Sequence, residues 1–223
     1  MRQTLLFDCD GVLYPLSELP TKNLVEAMKE TSRCDLGLSG DEQRLISKQT
    51  RENNQLGMFN YINAMCAYKN YNFDEFCERM ATRVDYSKIR ENRQLYLEIK
   101  QAALQYNVGI LTNNSRAHTE AVIRQVFGCD AKLLETENIS LFDVKKTEKN
   151  GIFLRKQSAG LKLICDKYGY EPAYTTLFDD AVENVVAAQK IGMNGVLIDK
   201  DNHLQKALRL FLQPPKIRGK YYE

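Results

Sequence analysis

Thr4-Leu5-Leu6-Phe7-Asp8-Cys9-Asp10-Gly11-Val12-Leu13-Tyr14 is the stretch from which the fold is read. An apolar run, Leu5 to Phe7, stops at two aspartates one residue apart, and Gly11 precedes a second apolar run. A run this short, closed by turn residues, predicts a buried strand. In open α/β sheets, ligands sit beyond the carboxyl ends of such strands, which is where Asp8 and Asp10 fall. On extended chain, a two-residue spacing points both side chains the same way. Like charges that close repel unless a cation or a proton lies between them. Two hard oxygen ligands, with no histidine beside them in the sequence, favour Mg2+ over zinc.

Outward from this strand the chain changes character. Pro15 and Pro20 bracket a loop, and Thr21 is placed to cap a helix. Helical spacing then predicts helices over 22–32, 41–50, 58–69 and 73–83. Gly37 and Gly40 separate the first two, and Asp41 is the expected start of the second. No segment between 16 and 88 has strand composition, so an all-helical block follows the first strand directly. From about Asn92 the pattern alternates: helix 92–106, strand 108–112, helix 117–127 closed by Gly128. Lys132 to Leu134 and Ile139 to Phe142 are short strand candidates, and the polar run Asp143 to Asn150 reads as a loop. Helix 157–168, strand 174–178, helix 182–190, strand 194–198 and helix 203–212 complete the series before a basic tail opened by Pro214 and Pro215. Strand–helix alternation predicts an α/β fold, a Rossmann-like doubly wound parallel sheet with helices on both faces. The expected domains are a catalytic core, 1–15 and 89–223, and an inserted helical cap, 16–88.

Composition narrows the partners. With 223 residues, 43% hydrophobic and 27% charged, the chain can bury one large core or a core with an insertion. A net charge of +2 and no long basic run argue against nucleic acid as a partner. No apolar stretch approaches the roughly 18 residues of a membrane span. Cys9, Cys34, Cys66, Cys77, Cys129 and Cys165 form no CxxC pair, and Arg2 leads straight into the first strand without a leader. Reduced thiols and a cytoplasmic location are the expectation. Oligomeric state is not encoded in these signals.

Four strand ends or helix starts carry polar groups of one kind: Asp8 and Asp10, then Thr112 and Asn113, then Lys156, then Asp179 and Asp180. In a parallel sheet they project to one edge. Carboxylates, a hydroxyl, an amide and a lysine together suit a phosphate bound with Mg2+. Taken singly, each has a plainer reading. Asp8 and Asp10 alone could be turn residues, Thr112 to Ser115 a turn and N-cap cluster, and Asp179-Asp180 a helix start. A calcium loop counted from Asp8 fails, because its fifth, sixth and twelfth positions are Val12, Leu13 and Leu19. Cys9 reads as a packed, inert thiol. His118 and His203 read as exposed or helix-start residues. Tyr61, Tyr68, Tyr71, Phe73 and Phe76 read mostly as helix core, with one or two free to face a ligand.

In order and spacing, these motifs resemble those of the haloacid dehalogenase superfamily of aspartate-nucleophile phosphatases. Asp8-Cys9-Asp10-Gly11-Val12-Leu13 is similar to its first motif, Thr112-Asn113 to its second, Lys156 to its third and Asp179-Asp180 to its fourth. Leu13-Tyr14, Phe178-Asp179-Asp180 through Asn184, and Lys190-Ile191-Gly192-Met193 look most like the pyrimidine 5′-nucleotidase-like branch. The resemblance implies a phosphomonoesterase acting on a nucleoside 5′-monophosphate or another small phosphorylated metabolite, through an aspartyl-phosphate. It implies Asp8 as nucleophile, Asp10 as acid and base with its backbone carbonyl on Mg2+, and Thr112 and Asn113 as phosphoryl donors. Lys156 would neutralise Asp8 and the phosphate, and Asp180 would hold Mg2+ with Asp179 as ligand or support. Gln157 stands where the family often has proline, and Asn184 where some relatives have a further aspartate. Lys145, Lys146, Lys149 and Lys162 compete for the Lys156 role. The other readings are a sugar-phosphate mutase of the same fold and a non-catalytic regulatory protein. Dehalogenase chemistry is disfavoured by Asp10, since it needs no second aspartate as acid.

Overall fold

A computed structural model describes residues 2–53, 57–130, 139–143, 148–149, 152–153 and 156–212. β1 (Thr4–Phe7) is the middle strand of five. On one side lie β2 (Asn107–Thr112) and β3 (Ile139–Asp143), on the other β6 (Thr175–Asp179) and β7 (Asn194–Leu197). Every pairing in this sheet is parallel. All four residues of β1 are buried, as a strand covered on both faces demands.

The chain leaves β1 for β2 and β3 and then crosses back to β6 and β7. The order therefore reverses at the β1–β6 seam, where α/β sheets open a crevice. Phe7 pairs with Phe178 in that seam, so the next residues, Asp8 and Asp179, come level. The Asp8 N–H donates to the Phe178 carbonyl at 2.9 Å, which extends the pairing by one step. The Phe7 and Phe178 rings lie 5.1 Å apart beneath the two acids, and burying each contributes about 2–3 kcal/mol.

Alternate residues of the strands feed two cores. Leu5, Phe7, Val108, Ile110 and Phe178 pack with α5 (Arg93–Ala103), α6 (Arg116–Phe127) and α9 (Leu204–Leu212). Leu6, Leu111 and Leu177 pack with α7 (Ser158–Tyr168) and α8 (Val182–Lys190). On the first face, Arg209 of α9 pairs with Glu98 of α5 at 2.6 Å. Four helices stand between β1 and α5: α1 (Thr21–Cys34), α2 (Gly40–Glu52), α3 (Met58–Tyr68) and α4 (Phe73–Thr82). Among the described residues none of this insertion is strand, as its composition predicts. Phe76, Met65 and Ile62 are buried there, whereas Tyr68 is exposed. No helix of the described residues is long and apolar enough to cross a membrane.

The caps differ from two of the expected ones. Pro20 rather than Thr21 precedes α1, and Ser39 rather than Asp41 caps α2, in a reciprocal pair with Glu42. Gly128 and Gly169 end α6 and α7 in the left-handed conformation. Within the run 143–150 expected to be a loop, β4 (Glu148–Lys149) pairs antiparallel with β5 (Ile152–Phe153). Two-residue strands carry no periodic signal, so the sequence could not announce them. The strand expected at Lys132 to Leu134, the rival lysines Lys145 and Lys146, and the basic tail lie outside the described residues.

The seam is held from the β7 side by close packing. A Cβ on Gly195 would stand 2.8 Å from Val185 Cγ1 and 2.9 Å from the Val185 carbonyl oxygen, so β7 and α8 can approach only because residue 195 is glycine. Gly195→Ala is expected to lower stability by about 1–3 kcal/mol, the cost of overpacking. Chemical denaturation of the two proteins checks this, and an unchanged midpoint would mean that the α8–β7 contact yields without cost.

Candidate active site

The carboxyl edge of the sheet gathers the acids. Asp8 follows β1, and Asp179 ends β6 with Asp180 next. Lys156, just before α7, reaches between them: its Nζ lies 2.7 Å from Asp8 Oδ2 and 2.6 Å from Asp179 Oδ2. It also donates to the Leu111 carbonyl at 3.3 Å. Lys156 is 1% exposed, Asp179 0% and Asp8 8%, so the ion pairs are shielded from water. Burial works against the Lys156 charge, but Asp8 and Asp179 outweigh it and raise its pKa. Of the competing lysines, Lys162 is exposed on α7.

Asp179 commits both of its oxygens. Oδ2 takes Lys156, while Oδ1 accepts from the Ala181 N–H at 3.0 Å and from Asn184 Nδ2 at 2.9 Å. The amide at 184, where some relatives carry an acid, thus fixes Asp179. Carboxylate oxygens of Asp8, Asp179 and Asp180 all lie within 4.8 Å of one another. Three carboxylates against the one ammonium leave two formal negative charges in a largely buried site. An all-oxygen donor set with that deficit fits a divalent hard cation. Burial raises the Asp8 carboxyl to about 7, with Lys156 pulling down and Asp179 and Asp10 pushing up. Asp180 is also raised, by burial and by Asp179. Gly11, at φ +79°, leaves room for Asp180: a Cβ there would stand 2.2 Å from its Oδ2. A cavity of about 720 Å3 borders the cluster at Asp180 and is lined also by Tyr14, Asn92, Lys200 and His203. That is the size small-ligand sites take.

Asp10 stands apart. Extended chain does not persist past β1, and the turn at Cys9 to Gly11 aims Asp10 into a second network. Its Oδ1 accepts from the Tyr14 hydroxyl and, at 2.9 Å, lies against His118 Nε2. Asn114 Nδ2 donates to Oδ2. Burial alone would raise Asp10, but the His118 charge and the bonds from His118, Tyr14 and Asn114 outweigh it and bring the carboxyl to about 2. The Asp10 carboxylate is outside the group of Asp8, Asp179 and Asp180 and lies instead with Cys9 and His118.

Thr112 is 2% exposed at the end of β2, and its Oγ1 accepts from the Asn114 N–H at 3.0 Å. Asn113 Oδ1 accepts from the Lys156 N–H at 3.2 Å, which ties the second motif to the third. Cys9 is fully buried and its thiol pKa is raised, first by burial and then by Asp10 and Asp8. His203 is exposed at the start of α9, as expected. His118 also lies at a helix start, in the first turn of α6 capped by Ser115, but it is 0% exposed and lies against Asp10. His118, Asn114 and Tyr14 are the site residues that the sequence reading missed. Their one signal is position, since each lies within a few residues of a motif at the same sheet edge.

A parallel sheet with acids and a lysine at its switch point defines a class of α/β enzymes that handle anionic ligands. The chain belongs to the haloacid dehalogenase-like hydrolases, whose family profile matches residues 3–192. No curated protein matches it significantly in sequence. Among solved structures it is similar to CbbY from Rhodobacter sphaeroides in complex with phosphate, at 16% identity and TM-score 0.54, over 91% of this chain and 88% of that one. It is similar to a HAD family enzyme from Bacteroides thetaiotaomicron in complex with magnesium and inorganic phosphate, at 15% identity and TM-score 0.52, over 89% and 95%. A structure described as a dehalogenase matches at 16% identity and TM-score 0.57, over 96% and 98%. At these identities the likeness concerns the fold.

Cation binding here requires ionised carboxylates. With the metal-free Asp8 carboxyl at about 7, Mg2+ affinity falls as pH drops below that value, by up to about tenfold per pH unit for one displaced proton. In the metal-free protein the same shift costs stability as pH rises from the ordinary carboxylate range toward 7, because the folded state holds that proton more tightly than the unfolded chain. Mg2+ is therefore expected to raise Tm more at about pH 8 than at about pH 5.5. Thermal unfolding with and without Mg2+ at the two values checks this, and equal increments would remove Asp8 from the cation site.

Proposed function

We propose that the protein is a Mg2+-dependent phosphomonoester hydrolase working through an aspartyl-phosphate on Asp8. One observation carries the reading: Asp8, at the sheet's switch point, shares a buried lysine with Asp179 while Asp180 lies within 4.8 Å. Asp8 Oδ attacks phosphorus as the ester oxygen leaves, and Asp10 gives that oxygen a proton. Asp10 then takes a proton from water, whose oxygen attacks phosphorus, releases inorganic phosphate and restores Asp8. Thr112 and Asn113 donate to the phosphoryl oxygens, and Lys156 offsets the charge of nucleophile and phosphate. Asp8, Asp180 and the Asp10 backbone carbonyl would hold Mg2+, with Asp179 in support. The ion, when bound, supplies positive charge beside the phosphoryl oxygens.

The resting Asp10 carboxyl, held at about 2, is ionised. Arrival of a phosphate dianion brings like charge beside it and favours its protonated form, as the first step needs. The substrate in this reading is a small phosphorylated metabolite. The motif resemblance to pyrimidine 5′-nucleotidases points to nucleoside 5′-monophosphates, and residues 16–88 act as a cap that selects the leaving group. CbbY has also been crystallised, as a mutant, with xylulose-(1,5)bisphosphate, which keeps sugar phosphates in the panel to be screened.

Asp8→Asn is expected to lower turnover of p-nitrophenyl phosphate with Mg2+ by at least about a thousandfold while leaving the fold intact. Lys156→Ala is expected to lose on the order of a hundredfold or more in rate and about 3–5 kcal/mol in stability, because two buried carboxylates are left unpaired. Lys162→Ala is expected to change neither. Release of inorganic phosphate, followed with circular dichroism on each variant, tests the set. Full activity in Asp8→Asn would refute the nucleophile, and an inert wild-type protein would refute the hydrolase.

A further inference from the structure

The second network at the sheet edge lies outside the four motifs. His118 is completely buried, yet both of its ring nitrogens have partners: Nε2 lies 2.9 Å from Asp10 Oδ1, and Nδ1 lies 3.0 Å from the Tyr86 hydroxyl. The Tyr86 and His118 rings are in contact, with centroids 5.5 Å apart. An ionised carboxylate can only accept, so Nε2 carries a proton toward Asp10, and the Tyr86 hydroxyl is the partner of Nδ1. The His118 backbone is held as well, its N–H donating to the Ser115 cap at 3.2 Å. Tyr14 donates to the same Asp10 oxygen from the other direction. These two tyrosines flank the helical insertion. Tyr14 lies where the chain leaves β1 for α1, and Tyr86 where it returns from α4 to α5.

We infer that His118 is a positioning residue, fixed by Tyr86, that holds the Asp10 carboxylate in place for proton transfer and so ties the insertion's return strand of chain to the reaction. The inference rests on reading Asp10 as the acid–base group. An aspartate side chain turns freely about its own bonds unless donors pin it. Here Tyr14 and His118 pin one oxygen and Asn114 the other, from two separate segments of the chain. Proton transfer requires heavy atoms about 2.6–3.2 Å apart, and a misplacement of about 1 Å costs on the order of a hundredfold. His118 touches neither of the reacting groups proposed at Asp8, so its effect passes through Asp10.

Leaving groups separate positioning from plain stability. An alkyl phosphate needs its departing oxygen protonated, whereas p-nitrophenolate leaves without help. His118→Ala is expected to lower kcat/KM about a hundredfold on an alkyl phosphomonoester and tenfold or less on p-nitrophenyl phosphate. His118→Gln, which keeps an N–H near the position of Nε2, is expected to recover most of the alkyl-ester loss. Tyr86→Phe keeps the ring contact, loses the hydroxyl that pairs with Nδ1 and is expected to show the same preference at about three- to tenfold. Equal losses of His118→Ala on the two esters, or a glutamine no better than alanine, would overturn the assignment. A second measurement does not depend on turnover. In the proton NMR spectrum, the shielded His118 Nε2–H is expected as a slowly exchanging downfield signal that Asp10→Ala abolishes. Survival of that signal in Asp10→Ala would overturn the assignment even if the wild-type protein hydrolyses neither ester, a result that would separately end the hydrolase reading.

Discussion

A lysine ammonium sits in the dark between two carboxylates, and the rest of the sheet edge is arranged to keep it there. Lys156 has 2.7 Å and 2.6 Å contacts to acids on adjacent parallel strands and is itself 1% exposed. Taking three such charges out of water costs several kcal/mol each unless the pairing is close and the remaining valences are filled. They are filled by the Leu111 carbonyl for the lysine, and by the Ala181 N–H and the Asn184 amide for Asp179. The contact holds only while β1 and β6 keep their register, Phe7 opposite Phe178. Register is secured by the strict in–out alternation of two buried faces, since a slip of one residue would exchange Leu6 with Phe7 between them.

The two aspartates of the first motif are separated electrostatically as well as in space. Burial pushes Asp8 up to about 7, and three donors bring Asp10 down to about 2. In the proposed reaction the order must be the reverse: the nucleophile ionised, the acid protonated. A divalent cation beside Asp8 and a phosphate dianion beside Asp10 would each move its neighbour in the required direction. The edge of the sheet is therefore tuned for its occupants. Pairs of acids pushed apart by environment are how one site runs both halves of an acid–base cycle.

The backbone was largely legible in the sequence because its signals are local. Short apolar runs ended by turn residues became β1, β2 and β6, and amphipathic spacing became the flanking helices to within a few residues. The acids and Lys156 were legible as positions, because parallel strands bring their carboxyl ends to one edge whatever the loops do. Partnership was not legible. Whether Asp179 faces a cation or a lysine depends on side-chain rotation at the end of β6. That Asp10 turns away from Asp8 depends on a tight turn where the reading assumed extended chain. His118 was the largest miss: on sequence it is a polar residue in a helix's first turn, usually solvated. It is buried against Asp10 and Tyr86, both distant in the chain, and no local pattern contains such contacts.

The place of the insertion gives that missed residue its meaning. Four helices follow Asp10 in the chain, the first starting at Thr21, with Tyr14 before them and Tyr86 after them. His118 and Asn114 hold the acid from α6 and the end of β2, Tyr14 holds it from the chain before the helices, and Tyr86, after them, bonds His118. The direct bonds to the acid thus all come from beside the sheet edge, and Tyr86 reaches it only through His118. In the proposed reaction, a shift at Tyr86 would change the distance over which the proton travels only by way of the His118 ring.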